Sequence, residues 1–334
     1  MDIGIDLGTA NIMITAGNKG VVFYEPSVVA FNKRTNEIIT IGSEAYKMIG
    51  KAPEYIAVIK PLSDGVISDY DMADALISEC ISRVTGKQVF MPKIIICVPS
   101  LATDIECRAV VDAARKTGAR RVYLIEEPVA ALLGAGIDIS KPRGRMVIDI
   151  GGGTSDIAIM SMYGIVVKTS VKMGGNKLDR AIMKYVHNNY KLDIGERTAE
   201  NAKIALAQIN TPTGGRTFTV CGIDTNEGLP AKRELTDIDM YEAVKDDIMK
   251  IGQAAKDVLE KCPPELSGDI YEDGIVLTGG GALINGLPEY FSTELRVKVY
   301  AADDPIRCVA RGCAEAFKYI DILKSGFTRI SNYN

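Results

Sequence analysis

Two stretches of this sequence carry residue types that could do phosphate chemistry. In Met146-Val147-Ile148-Asp149-Ile150-Gly151-Gly152-Gly153-Thr154-Ser155-Asp156 an apolar strand runs into a carboxylate, three glycines and a hydroxyl, then resumes as Ile157-Ala158-Ile159-Met160. A carboxylate inside an apolar strand is costly unless it is paired or faces a cation, and glycines let backbone N–H groups close on a phosphate without Cβ interference. The pattern suits a hairpin tip that holds a metal-bound phosphate, and taken singly it also fits a tight glycine turn with Asp149 hydrogen-bonded to it. Asp2-Ile3-Gly4-Ile5-Asp6-Leu7-Gly8-Thr9 repeats the order of strand, Asp, apolar residue, Gly and hydroxyl, with Asp6 and Asp149 nearly half the chain apart. Such spacing is the signature of a duplicated fold whose halves each present one hairpin. Ile275-Val276-Leu277-Thr278-Gly279-Gly280-Gly281-Ala282 joins a third strand to a glycine loop. Three junctions of this kind, two of them led by Asp, weigh against reading each as a plain turn.

Composition removes other chemistries. A net charge of -4 argues against nucleic acid as a partner, because affinity for phosphate backbones comes from clustered Lys and Arg. The single histidine, His187, excludes a His-rich metal site and argues against a Ser-His-Asp hydrolase; it is expected on the surface. The seven cysteines are odd in number, form no Cys-x-x-Cys pair and stand mostly among apolar residues, the pattern of reduced core thiols. Cys308 and Cys313 are the closest pair and a weak metal pattern. No apolar run reaches the ~20 residues that span a bilayer, and the chain enters its first strand with no signal peptide before it, so a soluble, intracellular protein is expected. A length of 334 residues suits two domains or one bilobed unit.

The elements that must position the junctions follow from periodicity and breakers. Ile12 to Ala16 and Val21 to Tyr24 read as strands after the first junction, and 32–69 as a turn-rich insertion with a short helix near Ser43 to Ile49. Helical spacing marks 71–85 and 104–117, and the apolar run 92–99 reads as a strand buried on both faces. Strand 122–125 leads through Glu126-Glu127-Pro128 into a small-residue helix over 129–136. In the second half, helices are expected over 178–190, 196–208, 239–262 (stopped by Pro263-Pro264) and 305–323, with short strands over 211–233. This order predicts an α/β fold with a largely parallel sheet.

These residues resemble the actin-like ATPase superfamily. Asp6-Leu7-Gly8-Thr9 is similar to its first phosphate loop, Asp149 to Thr154 to its second, and Thr278 to Gly281 to its adenosine loop. Within it the chain is identified as a member of the MreB/Mbl family of bacterial cell-shape actins, a resemblance that runs over essentially the whole length. It is carried by Glu25-Pro26-Ser27-Val28-Val29-Ala30, Pro61-Leu62-Ser63-Asp64-Gly65-Val66-Ile67, Ile125-Glu126-Glu127-Pro128, Ile194 to Glu200 and Pro263-Pro264-Glu265-Leu266.

The resemblance implies an actin-like α/β fold, two duplicated lobes around a nucleotide cleft, in four subdomains. Subdomain IA would comprise 1–31, 70–141 and 305–334, IB 32–69, IIA 142–177 and 242–304, and IIB 178–241. ATP or ADP and Mg²⁺ are the implied cofactors. Asp6 and Asp149 would hold the metal. Gly8, Thr9 and Asn11 would contact phosphate from one side, and Gly151, Gly152, Gly153 and Thr154 from the other. Glu127 would polarise the attacking water with help from Thr154; a helix N-terminal carboxylate favoured by the dipole is compatible with that role. Glu200 and Lys203 would grip ribose and base, and Gly279, Gly280, Gly281 and Ala282 would pack against the nucleotide.

The implied function is a filament-forming ATPase that assembles on the inner face of the cell membrane and determines cell shape, with slow hydrolysis coupled to polymerisation. Implied partners are further copies of itself in double protofilaments, the lipid surface, paralogues and envelope-synthesis membrane proteins. The loop Gly86-Lys87-Gln88-Val89-Phe90-Met91-Pro92 would make the membrane contact through Val89, Phe90 and Met91; folding back onto the core is the alternative. Two departures bear on turnover. Lys203-Ile204-Ala205-Leu206-Ala207 stands where many family members have Lys-Ile-Glu-Ile-Gly, and Asn176 and Lys177 follow Gly174-Gly175 where acidic residues are common. They keep open a paralogue that binds nucleotide and copolymerises with little hydrolysis; a sugar or metabolite kinase of the same superfamily is more remote.

Overall fold

Each Asp-Gly junction folds into an antiparallel hairpin. In the computed structural model, which describes residues 2–63, 65–86, 92–323 and 325–329, strand Ile3–Leu7 returns as Asn11–Ala16 with Asp6 opposite Met13. Strand Arg145–Ile150 returns as Ser155–Ser161 with Asp149 opposite Asp156. A third antiparallel strand continues each hairpin, Val21–Pro26 in one and Gly164–Val171 in the other. On its other side each leading strand pairs in parallel with a buried strand, Lys93–Val98 or Ile275–Thr278, which in turn pairs in parallel with Arg121–Glu126 or Val299–Ala301. The two sheets thus share one strand order, and the first adds Phe327–Arg329 at its edge. The sequence repeat is a repeat of topology. The expectation of a largely parallel sheet is corrected: each sheet is mixed, because a phosphate hairpin and its third strand are an antiparallel meander.

Helices cover the sheets on both faces. Tyr70–Thr85 and Asp104–Lys116 bury Leu76, Ile77, Val110 and Val111 against Ile5, Ile94 and Ile96 of the first sheet. Gly175–Tyr190 and Asp237–Glu260 bury Ile182, Val186, Ile248 and Ile251 against Ile148 and Ile157 of the second. Capping boxes start two of these helices, Thr103 with Glu106 and Thr236 with Asp239, each satisfying N–H groups that the helix leaves without partners. Between the sheets lie Glu127–Gly134 and Cys308–Glu315, in one core with Ile95, Ile125, Val147 and Val276. These two helices touch through backbone. A Cβ on Gly134 would fall 1.7 Å from the Cys308 carbonyl oxygen, and one on Gly312 the same distance from that of Ala130, so only glycine permits the approach.

Two smaller units ride on the sheets. Val29–Asn32, Ile38–Ile41 and Ile56–Ile59 form a three-stranded sheet, with helix Ser43–Met48 packed on Val28 and Ala30 through Ala45. Leu192–Asp193, Thr217–Asp224 and Pro230–Thr236 form another beside helix Glu196–Leu206. Other expectations need correction. Residues 305–323 are not one helix: a 3-10 turn Pro305–Arg307, helix Cys308–Glu315 and a second 3-10 turn Ala316–Tyr319 follow one another. Pro264 opens a further helix, Pro264–Asp273, since at the first helical position its missing N–H costs nothing. That helix buries only Ile270 and so lacks a readable apolar period. Cys80, Cys97, Cys308 and Cys313 are buried, whereas Cys221 is exposed. The half-exposed His187 sets Nδ1 2.6 Å from Asp193 Oδ1. No helix among the described residues is long and apolar enough to cross a membrane.

Candidate functional site

The two hairpin tips meet. Gly152 packs on Ala10 so closely that a Cβ there would lie 2.7 Å from the alanine methyl. The third junction closes onto the second hairpin at Gly279, whose φ of +77° favours glycine and whose added Cβ would sit 2.3 Å from the Ile150 carbonyl oxygen. Its N–H donates to the Pro305 carbonyl at 2.9 Å. Together the three junctions form the floor of a cleft of about 450 Å³.

Most of the candidate residues converge there. Asp6, Gly8, Thr9 and Asn11 line the cleft from the first hairpin, and Asp149, Gly151, Gly152, Gly153 and Thr154 from the second. Glu127 enters from the start of its helix, Glu200 and Lys203 from helix Glu196–Leu206, and Gly279, Gly280 and Gly281 from the third junction. Ala282 is buried and is not among the lining residues. Val89, Phe90 and Met91 lie outside the described residues.

Four carboxylates are buried in this region: Asp6, Glu127 and Asp149 line the cleft, and Asp156, paired with Asp149 in the hairpin, is buried without lining it. Burial pushes Asp6 up to about 8, with the charge of Asp149 adding to it. Burial likewise pushes Asp149 up to about 7, although the Thr278 hydroxyl donates to its Oδ1 at 2.6 Å and favours the charged form. Glu127 lies well above the usual carboxylate range, through burial first and then the charges of Asp156, Asp149 and Asp6. Asp156 is raised by burial even though its Oδ1 accepts the Ser100 N–H at 3.1 Å, and its Oδ2 has no hydrogen-bond partner among the described residues. No Lys or Arg among the described residues is ion-paired with any of the four. An acidic group buried in this way is what a divalent cation would neutralise. Among the described residues no three carboxylates converge closely enough to ligate an ion directly.

Sequence reasoning missed Asp156, which reads as an ordinary polar residue at the start of a return strand. The register of the hairpin was the available signal: pairing Ile148 with Ile157 sets Asp156 beside Asp149. It also missed the apolar walls. Leu178, Ile204, Ala207, Leu283 and Ile284 line the cleft beyond Glu200 and Lys203, with Ile204 and Leu283 well exposed at 74% and 59%. Large apolar side chains left open over a cleft suit a flat ring. Lys203 is held by Asp179 at 2.8 Å and donates to the Gly175 carbonyl at 3.1 Å. Of the departures, Asn176 lines the cleft, and Ala205 uses its carbonyl to accept from the Arg216 guanidinium.

Two α/β lobes of one repeated topology, with glycine hairpins facing each other across an acidic cleft, define the actin-like fold. The signature of the MreB/Mbl protein family matches residues 1–325, and the chain belongs to that family. It is 45% identical over 323 residues to the cell shape-determining protein Mbl of Bacillus subtilis (strain 168), covering 96% of this chain and 97% of that one. To the cell shape-determining protein MreB of Escherichia coli (strain K12) it is 41% identical over 327 residues, covering 96% and 94%. Its structure resembles that of MreB5 of Spiroplasma citri bound to AMPPNP with a TM-score of 0.90 and 37% identity, over 95% of this chain and 96% of that one.

Proposed function

We propose that this chain is an ATP-binding, filament-forming cell-shape protein that hydrolyses ATP slowly as it assembles on the inner face of the cell membrane. The observation that carries the reading is the set of buried carboxylates, without a basic partner among the described residues, between two glycine hairpins in one cleft. The relative from Spiroplasma citri was solved with AMPPNP and with ADP, which supports a nucleotide as the occupant here. Asp6 and Asp149 would hold Mg²⁺, which when bound supplies charge neutralisation at the phosphates. The N–H groups of Gly8, Thr9 and Gly151 to Gly153 would cradle the phosphate oxygens. Glu127 would orient the attacking water and draw off its proton, with the Thr154 hydroxyl assisting. Glu200 and Lys203 would take the ribose, and the apolar walls at Ile204 and Leu283 the base.

Assembly and location belong to the same proposal. Subdomains IA, IB, IIA and IIB would follow the boundaries expected from the family, and hinge motion between the lobes would turn an event at the γ-phosphate into a change of filament geometry. Val89, Phe90 and Met91 would contact lipid. At roughly 1.5 to 3 kcal/mol for each side chain buried a single loop binds weakly, and a filament that repeats it binds tightly through effective concentration. The test is sedimentation with phosphate release on the purified chain with Mg-ATP. Nucleotide-dependent pelleting with slow release is expected. Pelleting without release would favour the copolymerising paralogue with little turnover, and absence of nucleotide binding would overturn the reading.

A further inference from the structure

Helix Glu196–Leu206 reaches across the mouth of the cleft as well as into it. Glu200 Oε2 accepts the Tyr46 hydroxyl from helix Ser43–Met48 of the first lobe. The Arg197 guanidinium lies 4.9 Å over the Tyr46 ring and donates to the Lys47 carbonyl at 3.3 Å. Glu196 pairs with Lys60 at 3.1 Å. Three side chains of one helical turn therefore bind the first lobe, and the next turn brings Lys203 and Ile204 into the nucleotide cleft. Glu200 belongs to both settings. It lines that cleft, and it also lines a second cavity of about 350 Å³ together with Tyr46, Lys60 and Arg197.

We propose that Tyr46 is a positioning residue for the nucleoside: its hydroxyl holds Glu200 from across the mouth, so that one carboxylate binds Tyr46 and ribose together and couples cleft closure to nucleotide occupancy. This rests on the nucleotide reading above. A carboxylate offers about four acceptor sites on two oxygens, and no hydrogen bond among the described residues engages Glu200 Oε1, so ribose hydroxyls and the tyrosine need not compete. With both partners in place the side chain loses its rotamer freedom once and not twice, which makes the two contacts mutually supporting. By linkage, whatever the closed mouth adds to nucleotide affinity the nucleotide returns to closure. Tyr46 lines the second cavity, whereas the phosphate hairpins line the nucleotide cleft, so the coupling should act on the nucleoside and leave the phosphates alone.

Tyr46→Phe removes the hydroxyl and keeps the ring under Arg197, so the packing of the small sheet is retained. Release of a fluorescent ATP analogue, chased with excess ATP, should be about tenfold faster than in the parent chain, within the 5–150-fold range usual for coupled sites. Affinity for Mg-tripolyphosphate, measured by competition, should be unchanged. In a Glu200→Gln background, Tyr46→Phe should add little, because both changes act through one contact. Lys60→Met, which opens the neighbouring bridge, should speed release less. Parent-like release from Tyr46→Phe would overturn this inference alone, as would equal loss of nucleotide and tripolyphosphate, which marks a general loss of structure. No nucleotide binding by the parent would overturn the nucleotide reading and this inference with it.

Discussion

Asp149→Asn should make the nucleotide-free protein more stable and at the same time useless for Mg-ATP. The buried carboxylate titrates at about 7 and not at its ordinary 3.8. Between those values the folded chain holds a proton that the unfolded chain has released, so stability falls as pH rises through that window. At 1.36 kcal/mol for each pH unit, the total is about 4 kcal/mol, fully expressed above pH 7. Asparagine keeps an acceptor for the Thr278 hydroxyl and carries no charge. Denaturant unfolding without Mg²⁺ or nucleotide should therefore give the variant an advantage near zero at pH 4 that grows to about 4 kcal/mol at pH 8. Relieved of its neighbour's charge, Asp6 should also titrate lower. Mg-ATP at about 100 times its Kd should add about 2.7 kcal/mol to the parent and nothing to the variant. A variant less stable than the parent at pH 8, or one that keeps its Mg-ATP affinity, would refute the reasoning.

Two further outcomes are expected. Glu127→Gln should bind ATP and pellet normally but release phosphate on the order of 10²-fold more slowly, since activating a water is a transition-state task; parent-like release in a phosphate assay would move that role elsewhere. Phe90→Ser with Met91→Ser should abolish co-sedimentation with liposomes while pelleting without lipid persists, and unchanged lipid binding would remove this loop as the anchor.

What was legible in the sequence is local in its physics. A carboxylate, glycines and a hydroxyl after an apolar run specify a hairpin tip through turn sterics and desolvation, and both tips form, at Asp6 and Asp149. Their recurrence half a chain apart marked the duplication, and the two sheets share one strand order. The buried strand Lys93–Val98 and the helix Asp104–Lys116 were likewise readable from an apolar run and a helical period. Failures began where a side chain's surroundings come from distant segments. Asp156 looks like any polar residue after a turn, and it joins the buried acidic group only because the Ser100 N–H and Glu127 of the other lobe close over it. Ile204 and Leu283 look like ordinary helix and loop residues until two elements bring them to one cleft. The backbone contact of Gly134 and Gly312 needs two helices far apart in the chain. Tyr46 and Glu200, 154 residues apart, carry no mutual signature at all. Turn chemistry acts over a few bonds and is written in neighbouring residues; burial, pairing and the raised pKa values of the buried carboxylates depend on which distant surfaces exclude water together, and only the tertiary structure decides that.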